Sequence, residues 1–207
     1  MPIDSGGNYT GTFFTLLNPY ALLAGLVTLS LFTTHGAAYL ALKTAGDVRE
    51  RAHALMPRLG LVTAVLAVVF LGWTLIDAGE AWPWVTGVLA AVALLAALAA
   101  NLRGRDGWSF VLMGVTILMA VATLFIVLFP DVMPATDPAN SLTVTNASST
   151  DYTLKVMTVV AVIFTPIVLL YQGWTYYVFR RRLGVGNIPA YAATRSGGQE
   201  PAQPETV

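Results

Sequence analysis

The sequence contains no cysteine, and only 11% of its residues are charged. Without cysteine the chain forms no disulfide, no thiolate metal site, no iron–sulfur cluster and no cysteine nucleophile. Soluble globular domains carry about 25% charged residues, so this scarcity of charge argues against a soluble domain. Acidic and basic residues balance at 11 each, and no basic block exceeds three residues. Nucleic acid is therefore not an expected partner.

The sequence also lacks the short motifs that carry common chemistries. It has no glycine-rich phosphate loop before a helix, no H-E-x-x-H, no G-x-S-x-G and no pair of carboxylates within an apolar run. We therefore expect no catalytic residue and no metal-ligand set in this chain taken alone.

Long uncharged apolar runs are what the sequence has in abundance. Hydrophobic residues make up 56% of the chain, and the mean hydropathy is +0.68. A membrane-spanning helix needs about 20 apolar residues, and five runs approach that length: residues 19–42, 59–76, 82–100, 108–129 and 156–179. The sequence predicts an all-α, polytopic transmembrane helix bundle over residues 19–182. Residues 1–18 form an outer segment, and the polar residues 183–207 a disordered tail.

The basic residues orient this predicted bundle. Ten of the 11 lie in the segments that follow the first, third and fifth spans, and Lys155 is the exception. Because Lys and Arg accumulate in short cytoplasmic loops, we predict that the N-terminus is outside and that the C-terminus and its tail are cytoplasmic.

His35 is the one histidine within a predicted span, where an ionisable group suggests a function. Three interpretations remain open: a hydrogen-bonded residue of the bundle, a member of a proton path, or an axial haem ligand. The third is disfavoured because nothing in the sequence pairs His35 with a second His, Met or Cys ligand.

Asp77 lies where the second span meets the outer surface. A carboxylate at the bilayer centre costs on the order of 3 kcal/mol, a cost that largely disappears at the interface. Asp77 is therefore a hydrated helix-end carboxylate or, alternatively, a group near an outer-side proton exit or quinone site.

A polar stripe runs along the fifth span. Thr158, Thr165 and Gln172 recur every seven residues, and Tyr176 follows one turn later. Seven residues are close to two helical turns, so these side chains share one face. We predict that this stripe contacts another helix or subunit, with a water-lined path as the alternative.

Small residues four positions apart allow helices to approach closely in lipid. Ala21 with Gly25 in the first span and Gly87 with Ala91 in the third are such pairs. We expect them to lie at helix contacts inside the bundle, with a dimer interface as the alternative.

Four stretches of the chain resemble subunit II of the cytochrome bd quinol oxidases. They are residues 18–44, with F-T-T-H-G-A-A-Y-L; residues 129–136, F-P-D-V-M-P-A-T; residues 141–149, S-L-T-V-T-N-A-S-S; and residues 152–179, which end in Y-Q-G-W-T-Y-Y-V-F. The resemblance extends over roughly residues 3–182. The loop stretches are specific, because a polar loop of that composition has no generic physical explanation.

The resemblance also implies that this chain has fewer spans than members of the family. Members of the family resemble two four-helix units with eight spans, and the five spans of this chain match the last five. We therefore expect a fragment, a shortened subunit, or a first half encoded separately. No catalytic residue of the family is carried over to this sequence.

The family implies a role as the non-haem subunit of a quinol:oxygen oxidoreductase in the bacterial inner (plasma) membrane. Its partner, subunit I, would hold haem b and haem d, oxidise quinol and reduce dioxygen to water. This chain would bind no haem itself, would contact membrane lipid and quinone, and would hold a structural quinone at most. A small multispan transporter and a membrane assembly or scaffold protein are the alternatives.

Overall fold

The computed structural model describes residues 1–79 and 81–184. Its helices are α1 (Phe13–Leu16), α2 (Pro19–Lys43), α3 (Asp47–Ala78), α4 (Trp82–Leu102), α5 (Asp106–Leu128) and α6 (Asp151–Val178). Within those ranges, α2 to α6 are long and apolar enough to cross a membrane. The predicted all-α bundle with five spans is thus confirmed. The predicted disordered tail lies outside the described residues, apart from Leu183 and Gly184.

Local sequence signals set the helix ends. Asn18 caps α2 by accepting a hydrogen bond from the backbone N–H of Ala21 at 2.8 Å, and Pro19 occupies the first helical position. Between α4 and α5, Gly104 has a φ of 68°, a left-handed conformation that glycine adopts without strain. The Gly104 N–H bonds to the Asn101 carbonyl at 2.8 Å, and the chain reverses within three residues.

Helices α2 to α5 form a bundle of two antiparallel hairpins. α2 packs extensively on α3, and α4 on α5, whereas contacts between the two hairpins are fewer. The joint core consists of Leu31, Ala37, Ala38, Met56, Leu94, Ala97 and Met113. Small residues dominate the buried face of α4, and Gly87 lies there against the side chain of Leu75. Ala21 and Gly25 are exposed instead, so that pair makes no close helix contact within the described chain.

Helix α3 begins 12 residues before the predicted span at residue 59 and continues through Pro57. A proline inside a helix leaves the carbonyl four residues earlier without its usual donor, which here is the carbonyl of His53. The side-chain amide of Asn101 in α4 donates to that carbonyl at 3.1 Å. In return, His53 Nε2 donates to the Asn101 carbonyl at 2.8 Å. The helix passes through Pro57 because a neighbouring helix supplies the missing donor.

The two ends of the bundle differ in charge and in what covers them. The junctions α2–α3 and α4–α5 and the end of α6 meet at one end, which we call the basic end because it carries Lys43, Arg49 and Arg182. At the opposite end, strands β1 (Asp131–Met133) and β2 (Leu142–Thr143) pair in an antiparallel sheet, joined through a 3-10 helix, Pro138–Asn140.

The N-terminal segment packs on that sheet region. The Met1 amino group donates to the Pro134 carbonyl at 2.8 Å, and the side-chain amide of Asn140 donates to the Ile3 carbonyl at 3.1 Å. The residues before α2 and the long loop between α5 and α6, both predicted to be outer segments, therefore form one cap at one end of the bundle.

Candidate functional site

His35 lies on α2 and is half-buried against α5. Its ring stacks on Phe110 with 4.8 Å between ring centroids, and Tyr39 contacts the same phenyl ring. The Nδ1 atom is buried and has no hydrogen-bond partner among residues 1–79 and 81–184. His35 thus takes part in an aromatic contact between the two hairpins, and no chain of polar groups continues from it within the described part of the chain.

Asp77 is exposed in the last turn of α3. Its carboxylate accepts a hydrogen bond from the indole N–H of Trp73 at 3.0 Å. Trp73 also packs edge-on against Tyr20, whose hydroxyl lies 2.9 Å from that of Thr74. Asp77 is thus a carboxylate at a helix end that accepts a hydrogen bond from a tryptophan of the same helix. Its role in proton exit or quinone binding stays a prediction.

The predicted stripe of α6 is exposed. No residue of α6 is buried, and Thr158, Thr165, Gln172 and Tyr176 all lie on its open surface. The Thr158 hydroxyl donates to its own helix, to the Leu154 carbonyl at 2.8 Å. The stripe therefore has no partner helix within the described chain, and its predicted contact with another subunit remains a prediction.

A second stripe with the same spacing lies on α5, and the sequence reasoning missed it. Ser109, Thr116 and Thr123 recur every seven residues, and all three are buried. The Thr123 hydroxyl donates to Thr86 of α4 at 2.8 Å, and the Ser109 hydroxyl donates to the Met56 sulfur of α3 at 3.3 Å. The seven-residue period was visible in the fourth span and would have identified these positions.

A hydroxyl pair also joins α2 to α3. Thr34 and Thr63 are fully buried, and their hydroxyl oxygens lie 2.9 Å apart. Each hydroxyl also approaches a carbonyl one turn earlier in its own helix, at 2.7 Å for Thr34 and 2.9 Å for Thr63. The bundle interior is thus polar in places, but these hydroxyls are satisfied, which favours an architectural role.

Asp106 is the buried carboxylate that the sequence reasoning overlooked. Its side chain is 2% exposed, and its Oδ2 atom accepts hydrogen bonds from Arg49 Nε at 3.1 Å, Arg49 Nη2 at 2.8 Å and Arg182 Nη2 at 2.9 Å. The carboxylate is the first residue of α5, where the helix dipole favours negative charge. The sequence signal was an acid between the basic residues of a short loop and an apolar span.

An apolar cavity of about 380 Å³ separates the two hairpins. All four helices contribute to its wall, and the threonines Thr28, Thr63 and Thr116 are the few polar residues among aliphatic ones. The volume lies within the range of about 300–1,000 Å³ that small-molecule sites occupy. Such a lining offers contact to a hydrocarbon chain and few hydrogen bonds to a polar ligand.

The described residues include no cluster of three or more His, Asp or Glu side chains that could hold a metal ion. The imidazole ring of His35 stacks on the phenyl ring of Phe110. The buried carboxylate of Asp106 is already paired with two arginines. The geometry thus contains interhelical connections and a cavity, and no arrangement of an acid, a base and a nucleophile within residues 1–79 and 81–184.

Five apolar helices, hydroxyl pairs in the interior and arginines gathered at one end define a multi-pass membrane protein of the helix-bundle class. A model of the family "Cytochrome bd terminal oxidase subunit II" matches residues 1–179. The chain belongs to that family, and the resemblance seen in its sequence is confirmed.

Curated relatives agree with this assignment. The cytochrome bd ubiquinol oxidase subunit 2 of Bacillus subtilis is 36% identical over 189 residues, covering 88% of this chain and 56% of that protein. The cytochrome bd-I ubiquinol oxidase subunit 2 of Escherichia coli K12 is 35% identical over 204 residues, covering 82% and 54%. A probable cytochrome oxidase subunit 2 of Haemophilus influenzae is 32% identical over 203 residues, covering 81% and 53%. The chain spans about half the length of the curated relatives it matches.

Proposed function

We propose that this chain acts as the non-haem subunit II of a cytochrome bd-type quinol oxidase. It supports a haem-bearing subunit I, which oxidises quinol and reduces dioxygen to water. Membership of the subunit II family is the observation that carries this proposal. The names of the relatives describe proteins about twice as long, so the activity of the whole oxidase is proposed for the complex and not for this chain by itself.

The chemistry of the described residues agrees with a supporting role. The buried polar groups are mainly hydroxyls bonded between helices, and the buried carboxylate is neutralised by arginine. Oxygen reduction needs redox centres and protons. The family implies that the haem b and haem d centres belong to the partner subunit, which this chain would hold in place.

The exposed stripe of α6 is our candidate contact with that subunit. The stripe of α5 has the same period and is buried against neighbouring helices. The amide of Gln172, by contrast, is exposed in a helix apolar enough to span a membrane. An unsatisfied amide is costly in hydrocarbon. A polar partner helix would satisfy Gln172 and cover Thr158, Thr165 and Tyr176.

The charges support a location in the bacterial inner membrane with the basic end facing the cytoplasm. Lys43, Arg49 and Arg182 gather at that end, although they belong to separate segments. Positive charge follows the cytoplasm over short loops. The cap formed by the N-terminal segment and the loop before α6 would then lie outside.

A structural quinone is the further component that the family implies. The cavity between the hairpins supports its placement there, because a quinone tail is a hydrocarbon chain and the lining is almost wholly apolar. Membrane lipid would surround the remaining apolar surface of α2 to α5.

The test is purification of the chain with and without a haem-bearing subunit from the same membrane. We expect no haem bands from the chain alone, and haem b and haem d bands, quinol-dependent oxygen consumption and extractable quinone from the copurified complex. Haem bound to the isolated chain, or oxidase activity that is unchanged when the chain is deleted, would contradict the proposal.

A further inference from the structure

Helix α6 is attached to the bundle at one end. The hydrogen bonds that join residues 151–183 to α2–α5 all lie at the basic end. Lys43 Nζ donates to the Phe179 carbonyl at 2.8 Å, and the backbone of Leu183 pairs with Lys43 and Ala45 at 2.8 and 2.9 Å. Because no residue of α6 is buried, these contacts at its end are its main connection to α2–α5 within the described chain.

The carboxylate of Asp106 lies at the centre of this attachment. It belongs to α5, and it joins Arg49 of α3 to Arg182, which follows α6. Both arginines bond to the same oxygen, and Oδ1 has no partner within the described ranges. Without the carboxylate, two guanidinium groups would be left close together with no negative charge between them.

The two ion pairs of Asp106, with Arg49 and with Arg182, are not equivalent. The Arg49 side chain is 32% exposed and forms two hydrogen bonds, whereas the Arg182 side chain is 43% exposed and forms one. If Arg182 detaches, its charge remains hydrated and Asp106 keeps Arg49 as its partner. A buried carboxylate that lost both would instead be strongly destabilised. The ion pair between Arg182 and Asp106 can therefore break while the bundle stays intact.

We propose that Arg49, Asp106 and Arg182 form a latch that sets the position of α6 relative to α2–α5. Asp106 is the positioning residue, and its ion pair with Arg182 is the contact that breaks when the latch opens. The backbone pairing of Leu183 acts as a hinge that keeps the helix joined when the ion pair is broken. Opening the latch lets the far end of α6 move while its basic end stays in place.

The absence of cysteine allows a direct measurement. Spin labels at Leu22→Cys and Val156→Cys, both on exposed positions at the opposite end of α2 and α6, report the distance between the helices by pulsed electron paramagnetic resonance. The full chain is reconstituted in lipid nanodiscs. We expect one narrow distance distribution for the parent, and loss of that narrow component in Arg182→Gln.

Arg181→Gln is the matched control, because Arg181 is the exposed neighbour and forms no ion pair within the described part of the chain. We expect its distribution to remain narrow, and Asp106→Asn to broaden at least as much as Arg182→Gln. Circular dichroism identifies any variant that fails to fold. Should Asp106→Asn misfold, Arg182→Gln decides the question. A narrow distribution in Arg182→Gln, or equal broadening in Arg181→Gln, would overturn the latch.

Discussion

Helices α5 and α6 have the same spacing of polar residues but lie in opposite environments. Each carries polar residues every seven positions, Ser109, Thr116 and Thr123 in α5, and Thr158, Thr165 and Gln172 in α6. The first stripe is buried and bonded to α3 and α4, and the second is exposed. A polar period in a membrane helix therefore does not by itself say whether its residues face another helix of the same chain.

The difference also shows what holds membrane helices together. Lipid is as apolar as leucine, so burial of aliphatic surface does not distinguish one helix face from another. The bundle α2–α5 is held by small-residue contacts and interhelical hydrogen bonds, such as those between His53 and Asn101. α6 has bulky exposed side chains on every face and is joined at one end.

The largest expected effect is on the bundle. Asn101→Leu removes the donor to the His53 carbonyl, which Pro57 leaves unpaired, and we expect a loss of about 1–3 kcal/mol in the free energy of unfolding. Detergent-induced unfolding followed by circular dichroism measures it. In a Pro57→Ala background the helix regains its own N–H donor, so the same substitution should cost less. An equal cost in both backgrounds would show that this donor is not the cause.

The next effect concerns α6. Thr165→Leu and Gln172→Leu should weaken association with the haem-bearing subunit, because interhelical hydrogen bonds in membranes contribute on average about 0.6 kcal/mol each. The yield of complex in a pull-down measures this. Val160→Leu, on the opposite face of α6 and also exposed, is the control and should leave the yield unchanged. If the stripe variants behave like the control, the stripe is not the interface.

An effect of similar size is expected at His35. His35→Gln removes the stacked contact with Phe110, and an aromatic pair contributes about 0.5–1.5 kcal/mol beyond its buried area. We expect a modest loss of stability and unchanged quinol-dependent oxygen consumption across the working pH range. A fall in turnover with unchanged stability would instead assign His35 to a proton path.

The smallest effect is local and lies in the cap formed by the N-terminal segment and the loop between α5 and α6. Backbone N–H groups of Asn8 and Gly6 donate to the carboxylate of Asp4, and they hold the pKa of Asp4 below its ordinary value. A carboxyl with a lowered pKa stabilises its turn above the ordinary pKa and loses that contribution as the pH falls through the lowered value. Hydrogen exchange at Gly6 and Asn8 should therefore accelerate in acid beyond its intrinsic pH dependence. That additional acceleration should be absent in Asp4→Asn.

The sequence by itself determined that the chain is a membrane helix bundle, because uncharged runs of spanning length have no other stable placement for their backbone groups. It also determined the clustering of basic residues in alternate connections, and the family. These properties depend on composition and order along the chain, which need no knowledge of contacts.

The tertiary structure decided which polar residues meet. Asp106 is a buried junction because Arg49 of α3 and Arg182, beyond the end of α6, converge on it. Asn101 is a connection between helices because its amide faces the carbonyl that Pro57 frees. Partners that lie 48, 57 and 76 residues away in the chain are set by helix packing. Carboxylates and amides also occur at exposed helix ends, as Asp77 does, so position in the sequence alone does not reveal the contact.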